Sequence, residues 1–182
     1  MRLQSFSSDL RAKGNSWSPS NGGEQHIREA AGDNSDNVRL RMKIEQEMYQ
    51  KVTAFINQRF PIGWGGAAIM CTDDHQFLIS VALECANSGA TLCMETGAMC
   101  EAQKYNKKIT HTLCVVREDE NAEFKVLSPC GICQERLLYW GEQVQAGITT
   151  QDGSLQFKTI KELQPYHWLL AYQGEELEHY IK

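Results

Sequence analysis

The chain has 182 residues, of which 42% are hydrophobic and 9% aromatic, which is enough to bury one core and form a single domain of ordinary size. Its 18 basic and 23 acidic residues give a net charge of -5, without the basic stripe that nucleic-acid binding requires, so we expect no nucleic-acid partner. No apolar run approaches the roughly 20 residues of a membrane span, and the first residues lack the apolar segment of a signal peptide. We therefore expect no membrane partner and a cytoplasmic location.

The first 37 residues are rich in Ser, Asn and Gly and contain few large apolar side chains. Such a composition cannot offset the entropy that is lost on ordering. It predicts a flexible N-terminal tail over residues 1–37 and one folded domain over residues 38–182. The alternative for the tail is a docking segment centred on Trp17.

The folded part alternates helical and strand patterns. From Val38 onward, apolar residues recur at helical spacing until Pro61, which predicts a long amphipathic helix. The patterns that follow predict strands at 65–72 and 76–83 as a hairpin, a helix at 93–106, a strand at 109–116, a helix from 130 to 141, a strand at 144–150, a short strand and a helix at 159–163. Strands that alternate with helices favour a sheet covered on both faces. The predicted fold class is α/β, a three-layer α/β/α arrangement with a mixed sheet of about five strands.

The seven cysteines include two clusters with the spacing of a metal site. An odd number of thiols without an export signal favours metal binding or catalysis over a disulfide framework. The clusters are CME at 93–95 and PCGIC at 129–133, each where a loop enters a predicted helix. Cys130 and Cys133 point the same way in a first helical turn and can bind one metal ion, with Cys93 as the third ligand. Three ligands leave one corner of a tetrahedral zinc site open for water, which is typical of catalytic zinc.

Two other interpretations of the CGIC pair remain open. It could be a redox dithiol, as in thioredoxin, or half of a structural zinc knot. A thioredoxin-like chain carries its dithiol after the first strand, whereas this pair lies late in the chain. A zinc knot needs a fourth ligand, and Cys100, seven residues past Cys93, is the candidate.

Glu95 follows the first predicted ligand by two residues and points in a different helical direction. We therefore expect its carboxylate beside the metal rather than on it. A carboxylate in that place can take a proton from water at the metal and pass it to a ring nitrogen and a departing amine. This predicts Glu95 as the catalytic residue.

With these motifs in this order, roughly residues 50–165 resemble the zinc-dependent cytidine deaminases, including members that act on blasticidin-type nucleosides. The resemblance implies that Cys93, Cys130 and Cys133 bind Zn2+, that Glu95 carries protons and that residues 38–182 form a cytidine-deaminase-like catalytic domain. The implied reaction converts cytidine or deoxycytidine into uridine or deoxyuridine plus ammonia. The implied partners are a small nucleoside substrate and further copies of the chain, in a homo-oligomer that is a tetramer or a dimer.

The same resemblance implies substrate contacts, with departures from the family pattern. The family stretch NVENxSxG appears as ALECANSG, which places Glu84 nine residues before Cys93 as the ligand of a sugar hydroxyl. Ala82 stands where the family has Asn. The family motif FPVGAA, whose Phe packs on the pyrimidine, appears as RFPIGWGGAA, so either Phe60 or Trp64 is the stacking aromatic. These departures keep open a modified cytosine nucleoside such as blasticidin S or another aminated heterocycle, and a non-catalytic zinc-binding scaffold is the alternative of a different class.

Charge at the metal is a further point of departure. Three thiolates on one divalent ion sum to minus one, which raises the pKa of bound water unless a dipole or a cation compensates. Family members of the cysteine type resemble CAER, whose Arg tempers this charge, but this chain has Thr96 there. The family's PCGxCRQ appears as PCGICQER, with Gln134 in the Arg position. We hypothesise that Arg136 supplies part of the compensation.

Overall fold

A computed structural model describes the backbone of residues 29–172 and the side chains of residues 37–172. Its elements in chain order are α1 (Glu29–Arg59), β1 (Gly65–Thr72), β2 (Phe77–Ser80), α2 (Thr96–Lys104), β3 (Ile109–Arg117), β4 (Lys125–Leu127), α3 (Gly131–Leu137), β5 (Gln145–Ile148), β6 (Gln156–Thr159) and α4 (Ile160–Leu163), with short 3-10 turns at Ser88–Ala90, Leu138–Trp140 and Trp168–Tyr172. Within this range we find no helix with both the length and the apolar character that a membrane crossing requires.

Helix α1 begins nine residues before the predicted helix start at Val38. Once a helix has nucleated, each further residue adds one hydrogen bond, so the polar stretch from Glu29 continues the helix without an apolar face of its own. The rest of the predicted tail, including the docking segment at Trp17, lies outside the described residues.

The sheet is mixed, with strand order β2-β1-β3-β5-β6 and β4 paired to β3. Strand β3 pairs antiparallel with β1 along one edge. On its other edge it pairs antiparallel with β4 near its end and parallel with β5 near its beginning. Six strands therefore occupy five positions, which confirms the predicted mixed sheet and adds β4. The three-residue β4 lies in a polar stretch where we predicted a loop, because it is too short to show alternation.

Helices cover both faces of this sheet, as predicted. On one face, Met48, Val52 and Ile56 of α1 pack on Ile69 of β1 and Leu113 of β3. On the opposite face, a second cluster joins α2 and α3 to the sheet through side chains that include Met70, Ala98, Met99, Cys133 and Leu137. Both helices thus begin on the same side of the molecule, and this places the two cysteine motifs together.

Candidate metal and active site

The structure brings three cysteine sulfurs to one point. The Sγ atoms of Cys93, Cys130 and Cys133 all lie within 4.8 Å of one another, and those of Cys93 and Cys130 are 3.5 Å apart. Tetrahedral thiolate ligands at about 2.3 Å from zinc are about 3.8 Å apart, so the sulfurs fit this ion. Among the described residues, the group that could hold a metal ion consists of these three side chains alone. An open fourth position matches a catalytic site rather than a closed structural one.

The start of α3 orients two of these cysteines. Cys130 is the N-cap residue in an extended conformation, and Cys133 lies buried in the first turn. The Gln134 amide donates to the Cys130 carbonyl at 2.9 Å, and its side chain donates to the Pro129 carbonyl at 2.8 Å. Gln134 therefore fixes the backbone on both sides of Cys130, a role that its place in the motif did not reveal.

Hydrogen bonds favour the thiolate at Cys130, the most exposed of the three cysteines. Burial alone would raise the pKa of the Cys130 thiol, but the backbone N–H groups of Cys133 and Ile132 and the neighbouring thiols outweigh it and lower the pKa. Burial, followed by the charge of Glu95, raises the pKa of Cys133. A hydrogen bond with Cys130 and burial raise the pKa of Cys93. A divalent cation among the sulfurs would offset the charge that makes ionising all three costly.

Cys93 and Glu95 lie just before α2, which begins at Thr96 rather than at 93 as predicted. Residues 93–96 form a tight turn in which the Thr96 amide donates to the Cys93 carbonyl at 3.0 Å. Glu95 is the N-cap residue of α2 and is 5% exposed. Its charge contributes to raising the pKa of both Cys133 and buried Cys114, after burial itself. The carboxylate is therefore close enough to act electrostatically on the cysteine group without belonging to it.

Arg136 links the two helices that carry the cysteines. From the last turn of α3 its Nη1 donates to Oγ1 of Thr96, the first residue of α2, at 2.9 Å. The guanidinium is thus held at the helix start that follows Cys93. Its part in balancing thiolate charge stays a prediction.

The two candidate aromatic residues lie on opposite faces of the sheet. A Cβ added to Gly65 would meet Ile56 and Phe60 at 2.8 and 3.0 Å, on the α1 side. A Cβ added to the next residue, Gly66, would lie 2.8 Å from Cη2 of Trp64 and 2.9 Å from Sδ of Met94. Successive strand residues point to opposite faces, so Trp64 shares the face of the cysteine motif while Phe60 packs with the α1 core.

The loop that carries Trp64 is pinned from the β3–β4 segment. Buried Arg117 donates to the carbonyl of Phe60 and to Oδ1 of Asn57. The Glu120 carboxylate accepts from the amide of Gly63 at 2.8 Å, and this hydrogen bond lowers the pKa of Glu120. Gly63 has φ +76°, a conformation that favours glycine. Sequence reasoning gave Arg117 and Glu120 no role, because they lie more than fifty residues from the loop that they hold.

The loop from 81 to 92 returns to the site through one β-bridge. Leu83 and Leu92 exchange backbone hydrogen bonds of 3.2 and 3.0 Å in an antiparallel bridge. In this register Ala82 comes opposite Cys93, and Glu84 is opposite Thr91. The Glu84 side chain is exposed. The nine-residue spacing thus closes a loop and brings Glu84 back beside the strand that leads into the first ligand.

Cys100, the candidate fourth ligand of a zinc knot, is exposed on α2 and lies outside the cysteine group. Sequence reasoning also missed Ser80, whose hydroxyl donates to the carbonyl of Met94 inside the CME motif. Gly97 in the first turn of α2 could have indicated this contact, since a glycine inside a helix often marks a place where another segment packs closely against the helix.

The chain is similar to solved structures of cytidine deaminases. The cytidine deaminase from Bacillus anthracis is 50% identical, with a TM-score of 0.73, and the match covers 76% of this chain and 99% of that chain. The cytidine deaminase from Burkholderia pseudomallei is 16% identical, with a TM-score of 0.54, over 68% of this chain and 98% of that chain; at this identity the likeness shows the fold alone. No protein-family model and no curated protein matches the chain.

Proposed function

The chain belongs to the cytidine deaminase family of zinc-dependent hydrolases, and on that premise we propose that its substrate is a cytosine nucleoside. Water adds at C4 of the ring and ammonia leaves, so that cytidine gives uridine and deoxycytidine gives deoxyuridine. Cys93, Cys130 and Cys133 would hold zinc, and the bound ion would lower the pKa of a water molecule so that it can act as the nucleophile. The observation that carries the proposal is the triangle of three sulfurs, with the buried Glu95 two residues after Cys93 at the start of α2.

In this proposal Glu95 moves the protons. Its carboxylate takes the proton that the attacking water gives up, donates a proton to a ring nitrogen, and later assists the departing amine. Because Glu95 is 5% exposed, bulk water has little access to the carboxylate, which favours proton transfer to the bound substrate. The CME turn keeps this carboxylate within electrostatic range of Cys133.

Trp64 is the proposed wall for the pyrimidine ring. The side chain is 49% exposed, and it borders Gly66 as the Met94 side chain does, which supports a place near the cysteine group. A large exposed aromatic face beside a polar site suits stacking on a flat base. Phe60 instead supports Trp64 from the α1 side, with ring centroids 6.3 Å apart. Glu84 is proposed as the ligand of a sugar hydroxyl, supported by its exposed position beside the approach to Cys93.

Ala82 favours a second candidate substrate. Ala82 comes opposite Cys93 in the register of the Leu83–Leu92 bridge. Unlike the Asn side chain, its methyl group has no amide that could bind a sugar hydroxyl. A methyl group there leaves room and makes no hydrogen bond, which suits a cytosine nucleoside with an altered sugar, such as blasticidin S. The two candidates differ in the sugar contact and share Glu95 and the metal.

We also propose that the enzyme forms a homo-oligomer, a dimer or a tetramer, in the cytoplasm. The described domain exposes large apolar side chains in the loop after β2 and in the last turn, at Leu83, Leu92, Trp168, Leu170 and Tyr172. Exposed apolar clusters of this kind are typical of protein interfaces. Sedimentation velocity at micromolar concentration tests the assembly, and a monomer would contradict it.

A substrate panel with metal analysis tests the function. We expect one zinc per chain and a fall in absorbance with cytidine, deoxycytidine or blasticidin S, and free cytosine reports whether the sugar is needed. Full zinc without turnover of any of the four would favour a non-catalytic zinc scaffold.

Glu95→Ala tests the mechanism. It should keep its zinc and lose turnover by more than the roughly 10²- to 10⁴-fold of a single acid-base group, because Glu95 serves more than one proton transfer. Glu101→Ala, on the exposed side of the same helix, is the matched control and should retain activity. Comparable turnover in the two variants would remove Glu95 from this role.

A further inference from the structure

Ser80 on β2 holds the turn between Cys93 and Glu95 from one side. Its hydroxyl donates a hydrogen bond of 2.5 Å to the main-chain carbonyl of Met94. Ser80 also lies against Gly97 in the first turn of α2. A Cβ at Gly97 would lie 2.8 Å from Cβ of Ser80, so helix α2 approaches β2 at a distance that only glycine permits.

The side chain of Met94 is held from the other side. Its sulfur would lie 2.9 Å from a Cβ added at Gly66 on β1, beside the ring of Trp64. Backbone and side chain of Met94 are thus fixed by two neighbouring strands. Since the Met94 carbonyl leads directly to Glu95, its position bears on that of Glu95.

The Met94 carbonyl belongs to the rigid peptide plane that joins Met94 to Glu95. Holding its oxygen holds this plane, and with it the direction in which the Cα–Cβ bond of Glu95 leaves the backbone. The helix start holds the backbone of Glu95, whose carbonyl accepts from the Met99 amide at 3.1 Å, but the Glu95 side chain makes no capping hydrogen bond there. Without the Ser80 hydroxyl, the carbonyl loses this donor, and the peptide plane is held by the flanking hydrogen bonds from Thr96 to Cys93 and from Met99 to Glu95.

We propose that Ser80 is a positioning residue of the reaction, which sets through the Met94 carbonyl the direction in which the Glu95 carboxylate meets the substrate. The proposal rests on the proposed function, in which Glu95 carries the protons. A misplacement of about 1 Å at a reacting group costs on the order of 10² in rate. Ser80→Ala should therefore lower kcat on the order of 10²-fold and leave KM within about threefold.

The experiment compares Ser80→Ala with a matched control. Thr53→Ala also removes a hydroxyl that donates to a main-chain carbonyl, that of Tyr49 at 2.8 Å, but in α1 on the opposite face of the sheet. For each protein we would measure kcat, KM and zinc content, and the absorption spectrum with Co2+ in place of zinc. Lower kcat at similar KM, with bound zinc and a wild-type Co2+ spectrum, in Ser80→Ala, while Thr53→Ala behaves like wild type, supports the proposal. An altered Co2+ spectrum would overturn it, because Ser80 would then position the metal ligands.

Wild-type kcat in Ser80→Ala would overturn it, whatever happens to stability. A loss of kcat that added zinc restores would also overturn it, because Ser80 would then hold the metal and not Glu95. Should Ser80→Ala fail to fold, the variant Gly97→Ala replaces it, because the added Cβ pushes α2 away from Ser80. Lower kcat with bound zinc in Gly97→Ala supports the proposal, and wild-type kcat refutes it. Should the wild type turn over none of the substrates, the proposed function fails and the proposal for Ser80, which rests on it, fails too. Turnover by the wild type together with wild-type kcat in Ser80→Ala overturns the proposal for Ser80 alone.

Discussion

His111 on β3 should make the protein sensitive to mild acid. Its ring is 8% exposed and lies against the ring of Phe157. The Thr110 hydroxyl donates to the carbonyl of Cys71 at 3.1 Å, so it accepts from Nδ1 of His111 at 2.9 Å, which assigns the proton of the neutral ring to Nδ1. The buried Nε2 has no hydrogen-bond partner. Protonation would therefore add a charge and a hydrogen that nothing nearby accepts.

The size of the effect follows from the pKa. Burial, and then the positive charges of Arg41 and His75, lower the pKa of His111 from 6.5 to about 4. The unfolded chain binds this proton near the ordinary pKa, so between these two values it holds more protons than the folded state, and stability falls as the pH falls through that window. At about 1.4 kcal/mol per pKa unit, the loss amounts to about 3 kcal/mol. Below about pH 4 both states are protonated and the contribution is constant.

The assay compares wild type with His111→Asn, which does not titrate and keeps a donor near the position of Nδ1. Denaturant unfolding, followed by tryptophan fluorescence in unit steps from about pH 7 to about pH 4, gives the free energy of unfolding for each protein. Zinc release and carboxylate protonation affect both proteins and cancel in the difference. We expect the advantage of wild type to shrink by about 3 kcal/mol over this range. Parallel curves would refute the reasoning.

Three further predictions concern the site. Trp64→Ala should raise KM on the order of tenfold, since stacking a base is worth about 1–3 kcal/mol. Phe60→Leu should lower the free energy of unfolding and leave KM unchanged. Equal KM values in the two variants would contradict the assignment of base stacking to Trp64 and core packing to Phe60. Gly66→Ala puts a Cβ 2.8 Å from the Trp64 ring and should also raise KM, so an unchanged KM would show that the ring does not contact substrate. Arg136→Ala should weaken zinc binding by roughly 10- to 100-fold, measured by chelator competition, with Arg136→Lys in between; unchanged affinity would dismiss Arg136 from charge compensation.

Much of the fold was readable from local pattern. The hairpin of β1 and β2, strand β3 and the late strands follow from apolar runs between turn residues, and α3 follows from the loop that ends at Cys130. The predictions that were wrong concern features that depend on contacts between distant segments of the chain. The start of α2 moves from 93 to Thr96 because the Leu83–Leu92 bridge and Ser80 hold residues 92–94 outside the helix. Strand β4 exists only because β3 offers it an edge.

The sequence by itself determined the chemistry of the site: three thiols and one carboxylate in a spacing that suits one zinc ion and one proton carrier. This information is local, because ligand type and helical periodicity are properties of a few neighbouring residues. Only the tertiary structure decided that Trp64 and not Phe60 lies on the sheet face that carries the cysteine motif, and that the Ser80 hydroxyl donates to the Met94 carbonyl beside Glu95. Which face of the sheet a loop side chain reaches, and which strand a helix start rests on, depend on packing between segments far apart in the chain, and no local pattern encodes them.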